Sequence, residues 1–534
     1  MKKLIYITVF LVICLQPASL LAQKRSDKSV YSFDRMEKRY PWIGSDNGAG
    51  LVYNQSLDFS TINAYFGQTN GDYRNFNDPE KFQNFGIKTE SYVKVKNVFF
   101  YGSFNYDYGI KQNQAWLGTI SQNSVFGPVV DSIPGKVLNE SYILAGKVGY
   151  KLNDKFSIGA AMNYQTATAA KRIDGRNMNT LSKFSVAPGI TYNRGILTAG
   201  INAAYQRNVE RAKYTFIGDV TGKSIFYQEG LWFFSKAGVT STTSMDRGYF
   251  TNVYGGAAQL QLRNKNISFF NQLKVDYNRE SDYDDLNLLR RNAFVDGLKY
   301  DYKGDFTFKG KKADHYLGLK FVSDEQFAYN VVSVYEPVPG EVNQWNYYEY
   351  GKTLRYMQTI RQYGAEYKAY IKRTDWHCSW IFTLGGNMRE VNKDFRIYPA
   401  KYHQDYTNKE VYAKVEKNLM FGKKSYLDIN INGGYVMGDG TMLSTVNPMT
   451  SGALKQNVSI LKQDFAYQTA ERFIAGGGVK YSVALNPEKG KVAFCGVNYR
   501  HQFLNDGGKL DNILTGVLPG QSRSTLSFTV GINF

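Results

Sequence analysis

The chain has 534 residues, of which 43% are hydrophobic, 15% aromatic and 21% charged, and its mean hydropathy is −0.41. With 42 Tyr, 34 Phe and 50 Gly it is too rich in aromatic residues for intrinsic disorder, and its three cysteines are too few for a disulfide scaffold. The polar average also excludes a bundle of membrane helices. The fold must therefore reconcile a polar average with many Tyr, Phe and Gly residues.

The first 22 residues have the features of a secretory signal peptide. Lys2 and Lys3 provide a positive start, an apolar run extends from Leu4 to Leu15, and small residues lead up to Ala22. The apolar run is shorter than the roughly 18 residues that a membrane-spanning helix needs. We therefore predict that residues 1–22 are removed on export.

The mature chain contains repeated segments in which apolar and polar residues alternate. The last segment is the clearest case, because its alternate positions are Leu526, Phe528, Val530, Ile532 and Phe534. Similar segments of about ten residues occur in pairs joined by tight turns, for example at 153–155 and 193–195. This period of two predicts antiparallel β-hairpins along the whole mature chain.

Short and long connections alternate between these segments. Short turns are predicted near 96–97, 153–155, 193–195, 263–266, 310–314, 372–375, 420–424 and 484–490. Long polar loops are predicted at 68–83, 110–139, 166–182, 207–252, 278–296, 324–360, 387–409, 437–471 and 502–523. This organisation is typical of a transmembrane antiparallel up-and-down β-barrel with short periplasmic turns and long extracellular loops.

The predicted fold is therefore all-β, with about 18 strands within a range of about 14 to 18. Residues 57–534 form the barrel, and residues 23–56 form either a periplasmic N-terminal segment or a short luminal insert. Only alternate residues of such strands meet lipid, which explains the polar average. A large soluble β-sandwich or propeller is the alternative, but it would leave the alternation of turns and loops unexplained.

The closing segment Ser-Thr-Leu-Ser-Phe-Thr-Val-Gly-Ile-Asn-Phe, together with the hairpin series and the signal peptide, resembles Gram-negative outer-membrane β-barrel proteins. In particular, the chain looks like the porin-sized, largely uncharacterised barrels of gut-type Gram-negative bacteria, for which only a domain of unknown function is defined. The resemblance implies an outer-membrane location, contact with outer-membrane lipid and lipopolysaccharide, and recognition by the barrel-assembly machinery. The residues that match its assembly signal are Phe528, Val530, Ile532 and Phe534.

The sequence predicts neither an enzyme nor a cofactor or metal site. His377 and Ser379 share one face of a strand, but no orienting acid accompanies them. Cys378 and Cys495 fall in the lipid-facing phase of strands that are not neighbours, so two unpaired thiols are expected.

The formal net charge of +19 arises from basic residues spread through all hairpins, so no nucleic-acid partner is predicted. Strand parity turns many of these residues toward the lumen, where they outnumber the acids and would favour anions. An equal alternative is that they pair with acids across strands as a solvated wall. The candidate pore-lining residues are Lys88, Lys94, Lys147, Lys151, Arg263, Lys303, Lys368, Lys414 and Arg500.

Between about 141 and 204, the inner phase consists of small residues such as Gly149, Gly159 and Gly189, which suits close contact with something inside the barrel. One hypothesis is that the loop 207–252 folds inward and constricts the pore. Another is that Ser45–Tyr53 forms a luminal insert.

The leading functional prediction is a porin-like channel for small solutes, with anions favoured, or for hydrophobic solutes. The rival is a non-transporting surface scaffold or a component of a secretion or attachment assembly. The sequence does not identify the solute.

Overall fold

The computed structural model describes residues 33–54, 58–121, 126–239, 244–284, 290–373, 377–397, 400–421, 424–443, 454–486, 490–505 and 520–534. Within these ranges, 18 long strands form one sheet and four short strands form a second. The predicted signal peptide lies outside the described residues.

Each long strand pairs antiparallel with the next, and the first pairs with the last, so the large sheet closes into a barrel. This confirms the predicted all-β barrel and its strand number. The long strands are β1 (Phe59–Gly71), β2 (Lys81–Val95), β3 (Val98–Gln114), β5 (Gly135–Lys151), β6 (Phe156–Lys171), β7 (Arg176–Arg194), β8 (Leu197–Thr215), β11 (Ser244–Arg263), β12 (Ile267–Asp284), β13 (Arg290–Lys309), β14 (Ala313–Pro337), β15 (Trp345–Lys372), β16 (Cys378–Ile397), β17 (Ala400–Phe421), β18 (Ser425–Leu443), β20 (Arg472–Asn486), β21 (Lys491–Leu504) and β22 (Ser522–Asn533).

The remaining elements lie inside the barrel or across one of its ends. They are α1 (Phe33–Arg39), a 3₁₀ helix (Gly48–Tyr53), α2 (Val458–Thr469), and the short strands β4 (Val129–Val130), β9 (Ser224–Gln228), β10 (Phe233–Gly238) and β19 (Leu454–Gln456). Among the described residues, no helix is long and apolar enough to cross a membrane.

The barrel closes where β1 meets β22. Ile62 lies opposite Ile532 and Phe66 lies opposite Phe528, and these side chains are exposed on the outer face. Phe534 continues this pairing, because its backbone exchanges two hydrogen bonds with Ser60. The alternation seen in the sequence thus places an apolar band on the outside of the barrel, as a lipid-facing surface requires.

The two ends of the barrel differ in their connections. At the turn end, short turns such as 96–97 and 195–196 join the strands. At the loop end, the connections are shorter than predicted, because many polar residues continue the strands. The predicted loop 166–182 is reduced to residues 172–175, and the predicted loop 324–360 is reduced to residues 338–344. Polar residues at the loop end belong to paired strands that contact water. Their polarity therefore does not mark where a strand ends.

The longest strands, β14 and β15, extend past their neighbours at the loop end. Pairing of β13 with β14 stops at Asn330, and pairing of β15 with β16 stops at Tyr356. Residues 331–337 and 345–355 therefore form a two-stranded ribbon beyond the barrel wall, to which the described residues add no third strand. We call this segment the ribbon.

One predicted side-chain direction is wrong. Cys378 is not turned outward, because the register of β15 and β16 shifts between Ile371 and Lys372. Such a bulge reverses the facing of the residues beyond it. Cys378 is consequently buried on the inner face beside Tyr316 and Tyr370. The two described cysteines form no disulfide, in agreement with the sequence.

Candidate functional site in the barrel interior

Residues 33–54 lie inside the barrel at its turn end, and we call them the insert. Its first helix, α1, spans the lumen: Phe33 packs on Phe59 of β1 with ring centroids 5.1 Å apart. On the opposite side, Lys38 donates a hydrogen bond of 3.1 Å to the hydroxyl of Tyr316 in β14. Contacts with two opposite walls fix α1 across the opening.

The segment after α1 is held by buried hydrogen bonds to the inner wall. The indole N–H of Trp42 donates to Gln261 Oε1 at 2.7 Å, and Trp42 is only 1% exposed. The amide of Asn47 donates to the backbone carbonyls of Ile190 and Ile201 and to Gln259 Oε1. Because these polar groups are buried and paired, removing either side would leave unsatisfied partners.

Lys147 holds the insert from β5. Its ammonium donates to the carbonyls of Ile43 at 2.7 Å and Ser45 at 2.8 Å. Glu37 of α1 lies between this ammonium and that of Lys303, yet burial outweighs both cations and raises the pKa of the Glu37 carboxyl.

The 3₁₀ helix of the insert packs directly on glycines of β5–β8. A Cβ on Gly159 would lie 2.4 Å from the backbone nitrogen of Ala49, and one on Gly189 would lie 2.3 Å from Asn47 Oδ1. Gly48 of the insert approaches the backbone of Ala160 as closely. Backbone contact at this distance is possible only without side chains. We call the inner face of β5–β8 the covered wall.

The structure therefore assigns the small-residue wall to the insert and not to the loop 207–252. That loop does fold inward, but it does so at the loop end, where Ile225 packs on Ala212 and Tyr214 of β8, beyond the small-residue stretch. Phe233 stacks on Phe395 with ring centroids 4.2 Å apart, and Leu231 joins the same cluster with Val295 and Tyr356. The prediction that the loop 207–252 folds inward is therefore correct, but the prediction that it covers the small-residue wall is wrong.

The four short strands and α2 form a cap over the loop end. Strand β10 pairs with β9 and β19, and β9 pairs with β4, so one small sheet joins three separate loops. Trp232 contacts Phe76 at 4.3 Å between centroids, and Asn75 donates to Asp464 of α2 at 2.9 Å. The cap is thereby connected to the β1–β2 loop on the opposite side of the opening.

Beneath the cap lies a cavity of about 570 Å³, which we call the upper chamber. Four aromatic rings line it together with amides and charged groups. The aromatic residues are Phe82, Trp116, Trp232 and Tyr356, the amides are Asn77, Gln114, Asn139, Gln228 and Gln358, and the charged residues are Asp78, Lys111, Lys393, Asp464 and Arg523.

Charged residues on the inner face occur as pairs two positions apart on one strand. Such spacing puts both side chains on the same face. The pairs are Lys88–Glu90 at 2.8 Å, Lys274–Asp276 at 3.1 Å, Lys303–Asp305 at 3.3 Å, Lys368–Glu366 at 3.3 Å and Lys414–Glu416 at 3.1 Å. Much of the basic charge is therefore balanced locally, although these pairs form within single strands, whereas the solvated-wall alternative expects pairs across strands.

The inner faces of β18, β20, β21, β22 and β1 form a different surface, which we call the open wall. It carries small and amide residues, among them Gly478, Gly496 and Asn498. The atoms nearest to a Cβ on either glycine belong to neighbouring strands. Asn498 and Arg500 are exposed, and a cavity of about 410 Å³ separates this wall from α1. Water-accessible space therefore lies between this wall and α1 at the turn end.

The structure distributes the predicted pore-lining residues among these surfaces. Lys147 and Lys368 contact or approach the insert, the latter at 4.0 Å from Asp34. Arg500 lies on the open wall. Arg263 and Lys303 also approach the insert: the Arg263 guanidinium lies over the ring of Tyr40, and Lys303 lies near Glu37 and pairs with Asp305. Of the other predicted residues, Lys94 lies over the ring of Phe99, Lys151 pairs with Asp154, and Lys88 and Lys414 pair with acids on their own strands.

His377 and Ser379 do not act on each other. His377 is buried and its Nε2 lies 2.5 Å from Asn418 Oδ1, whereas Ser379 donates to the carbonyl of Ile371. Within the described part of the chain, no group of three or more His, Cys, Asp or Glu residues is arranged to hold a metal ion.

The sequence did not single out Trp42 or Trp116, and it placed Asn47 and Trp232 only within the predicted insert Ser45–Tyr53 and the predicted inward loop 207–252, without a contact for either. Their partners lie far away in the sequence; Trp42 and Gln261, for example, are 219 positions apart. The useful signal was the run of small inner residues, which indicated an occupant without identifying it.

Comparison with known proteins gives the family. Residues 48–534, which include the 3₁₀ helix and all 18 long strands, match a family of unknown function, DUF6850. The chain belongs to this family. No curated protein matches the sequence.

Solved structures that this chain resembles include a receptor and two transporters. The ferric preacinetobactin receptor BauA of Acinetobacter baumannii has 10% identity and a TM-score of 0.39, over 89% of this chain and 80% of that one. The outer-membrane transporter YddB of Escherichia coli has 8% identity and a TM-score of 0.39, over 89% and 80%. The FrpB iron transporter of Neisseria meningitidis has 9% identity and a TM-score of 0.38, over 91% and 83%. Likeness at this level carries no information about what the DUF6850 chain binds.

Proposed function

We propose that the protein is an outer-membrane channel that lets small solutes, with a mild preference for anions, pass along the open wall beside a resident insert. The turn end then faces the periplasm and the loop end faces outward, as in other barrels of this type. The outer face would contact lipid and lipopolysaccharide, and the terminal Phe534 segment would be recognised by the barrel-assembly machinery.

The observation that carries this proposal is the exposed open wall next to a docked insert. An 18-stranded barrel is wide enough to leave an aqueous lumen. The insert covers the inner face of β5–β8, whereas Asn498 and Arg500 of the open wall are exposed, and Lys480 and Phe494 of the same wall line a cavity beside α1. Because the insert leaves this side unfilled, the barrel keeps a polar route through its lower half.

Reconstitution of the purified, folded protein in planar bilayers tests the proposal. We expect stepwise openings with a linear current–voltage relation. A protein that is folded by circular dichroism and heat-modifiability but stays silent would contradict it. Fractionation of cells into inner and outer membranes tests the location, and N-terminal sequencing tests cleavage before Gln23.

The ribbon favours a second candidate, docking of another protein at the cell surface. Val332, Trp345 and Tyr350 are more than half exposed, and both edges of the ribbon have unpaired backbone groups. Unpaired edges of this kind invite strand addition by a partner. Photo-crosslinking from position 345 in intact cells should capture a surface protein, and a folded barrel that yields no crosslink would remove this candidate.

A further inference from the structure

The upper chamber has the size and lining of a ligand site. Its volume of about 570 Å³ falls within the usual range of about 300–1,000 Å³ for small-molecule pockets. It lies under the cap, on the route that a solute from outside would take if the barrel is the proposed channel. The inference below rests on that proposed function and specifies its substrate class.

Residues at this chamber adopt an uncommon backbone conformation. Trp116, Leu231 and Trp232 have φ angles of 55°, 43° and 60°, a left-handed region that bulky residues seldom occupy. Conformations of this kind persist where the surrounding structure enforces them, and they cluster at ligand-binding sites. Both tryptophans are half-buried and line the chamber.

Two buried amides at the chamber have unused hydrogen-bonding capacity. Gln114 and Gln228 are each 5% exposed. Gln114 donates to the carbonyl of Asn77, but its Oε1 has no partner, and the Nε2 of Gln228 has none either. Buried polar atoms in native proteins are nearly always paired, so an unpaired acceptor and an unpaired donor at one cavity indicate a ligand that offers both.

Four of the five charged groups of the chamber have partners within the protein. Lys393 lies 3.8 Å from Asp464, Asp78 accepts a hydrogen bond from the backbone N–H of Asn75, and the Arg523 guanidinium donates to the carbonyls of Gly71 and Pro79. Lys111 has no ion pair or hydrogen bond of this kind among the described residues, so its ammonium can donate to a hydroxyl oxygen. A strongly charged ligand would have to displace existing partners at the other four groups. The chamber instead combines ring faces with amides, which suits a neutral molecule that has apolar C–H faces and hydroxyl edges.

We propose that the upper chamber binds a neutral sugar, one or more pyranose rings of an oligosaccharide. A pyranose ring presents axial C–H groups to the negative face of an aromatic ring, and its hydroxyls donate and accept hydrogen bonds. Trp116 and Trp232 supply ring faces. Gln114 Oε1 accepts a hydroxyl proton, and Gln228 Nε2 donates to a hydroxyl oxygen.

The test uses maltotriose, cellotriose and xylotriose as probes on the folded full-length protein in detergent. Binding is followed by tryptophan fluorescence and by isothermal titration calorimetry, with triglycine and inorganic phosphate as probes of other chemistry. We expect saturable binding of at least one trisaccharide and none of triglycine or phosphate. Absence of binding by all three trisaccharides, or binding of triglycine or phosphate instead, would overturn the proposal.

Two variants and one control locate the site. Trp232→Ala should weaken binding about tenfold, and Gln228→Leu, which keeps the side-chain volume, should weaken it with less risk to folding. Trp380→Ala, on the exposed outer face of β16 and outside the chamber, should bind like the wild type. An equal loss in the Trp380 variant, or no loss in the Gln228 variant, would overturn the assignment. Open channels without sugar binding would contradict this inference alone, whereas sugar binding by a silent barrel would contradict only the channel.

Discussion

The covered wall and the open wall are both built from small inner residues, yet they serve different surroundings. On the covered wall, Gly159 and Gly189 touch the backbone and Asn47 of the insert. On the open wall, Gly478 and Gly496 contact only neighbouring strands, and Asn498 is exposed. Small residues thus allow either close backbone packing or contact with water, and only the contacts across the lumen distinguish the two cases.

The largest expected effect on conductance comes from removing the insert, which packs on the covered wall. Deletion of residues 33–54 should raise single-channel conductance at least about twofold, because an 18-stranded barrel without an insert has a wide aqueous lumen. Planar-bilayer recordings measure this directly. Unchanged conductance in a correctly folded deletion variant would show that the insert does not limit the pore.

A pair of matched substitutions compares the two walls at single positions. Gly159→Val should displace the 3₁₀ helix, since a Cβ there lies 2.4 Å from Ala49 N of the insert as well as 2.3 Å from the Val148 carbonyl oxygen of β5, and overpacking of this kind costs about 1–3 kcal/mol. Gly496→Val has room, because the nearest atom to its Cβ is 3.4 Å away. We expect higher or noisier conductance for the first variant.

The second variant of this pair should show a slightly reduced conductance with a stable insert. Protease cleavage within the insert provides an independent measure, and it should increase only in the Gly159 variant. Similar behaviour of the two variants would mean that the walls do not differ in the way described. Gly146→Val is a further control, because nothing lies within 4 Å of a Cβ at that position.

Ion selectivity should depend on the open wall more than on the covered one. Arg500 is exposed there, so Arg500→Glu should shift the reversal potential in a KCl gradient away from anions. Lys151→Glu, beside the covered wall and paired with Asp154, should shift it much less. Equal shifts would show that the solute path does not follow the open wall.

The smallest expected effect concerns the pH dependence of insert docking. Burial raises the pKa of the Glu37 carboxyl above its usual value of 4.5, so its ionised form opposes docking. Docking should be strongest below about pH 4.5 and should weaken as the pH rises through the docked pKa. Glu37→Gln should remove this dependence, as followed by protease protection of the insert between pH 4 and 8. A Gln variant with the same pH profile as the wild type would exclude Glu37 as the group responsible.

The barrel itself could be predicted from the sequence because its signal is local. The alternation from Leu526 to Phe534 needs only neighbouring residues to be recognised, and the tight turns lie within the same short windows. The ends of the strands at the loop end could not be predicted. Polar residues such as those of the ribbon pair as strands in water, and polarity alone cannot separate a wet strand from a loop.

The interior was only partly predictable. Alternation along the strands correctly predicted that Lys147 and Arg500 lie on the inner face. It failed at Cys378, because one extra residue in the ladder reverses the direction of the side chain. The partner of the small wall remained ambiguous between the loop and Ser45–Tyr53. Asn47 and Ile201 are separated by 154 positions, so no local pattern connects them.

The insert is joined to β1 by only four residues, 55–58. A tether this short keeps a displaced insert next to its binding surface at an effective concentration on the order of millimolar. The open state of the covered side would therefore be brief, and a synthetic copy of the insert added from solution would compete only at similarly high concentrations. The insert thus behaves as an intramolecular ligand of the covered wall. The fraction of time that it is bound depends on the covalent link as much as on its contacts.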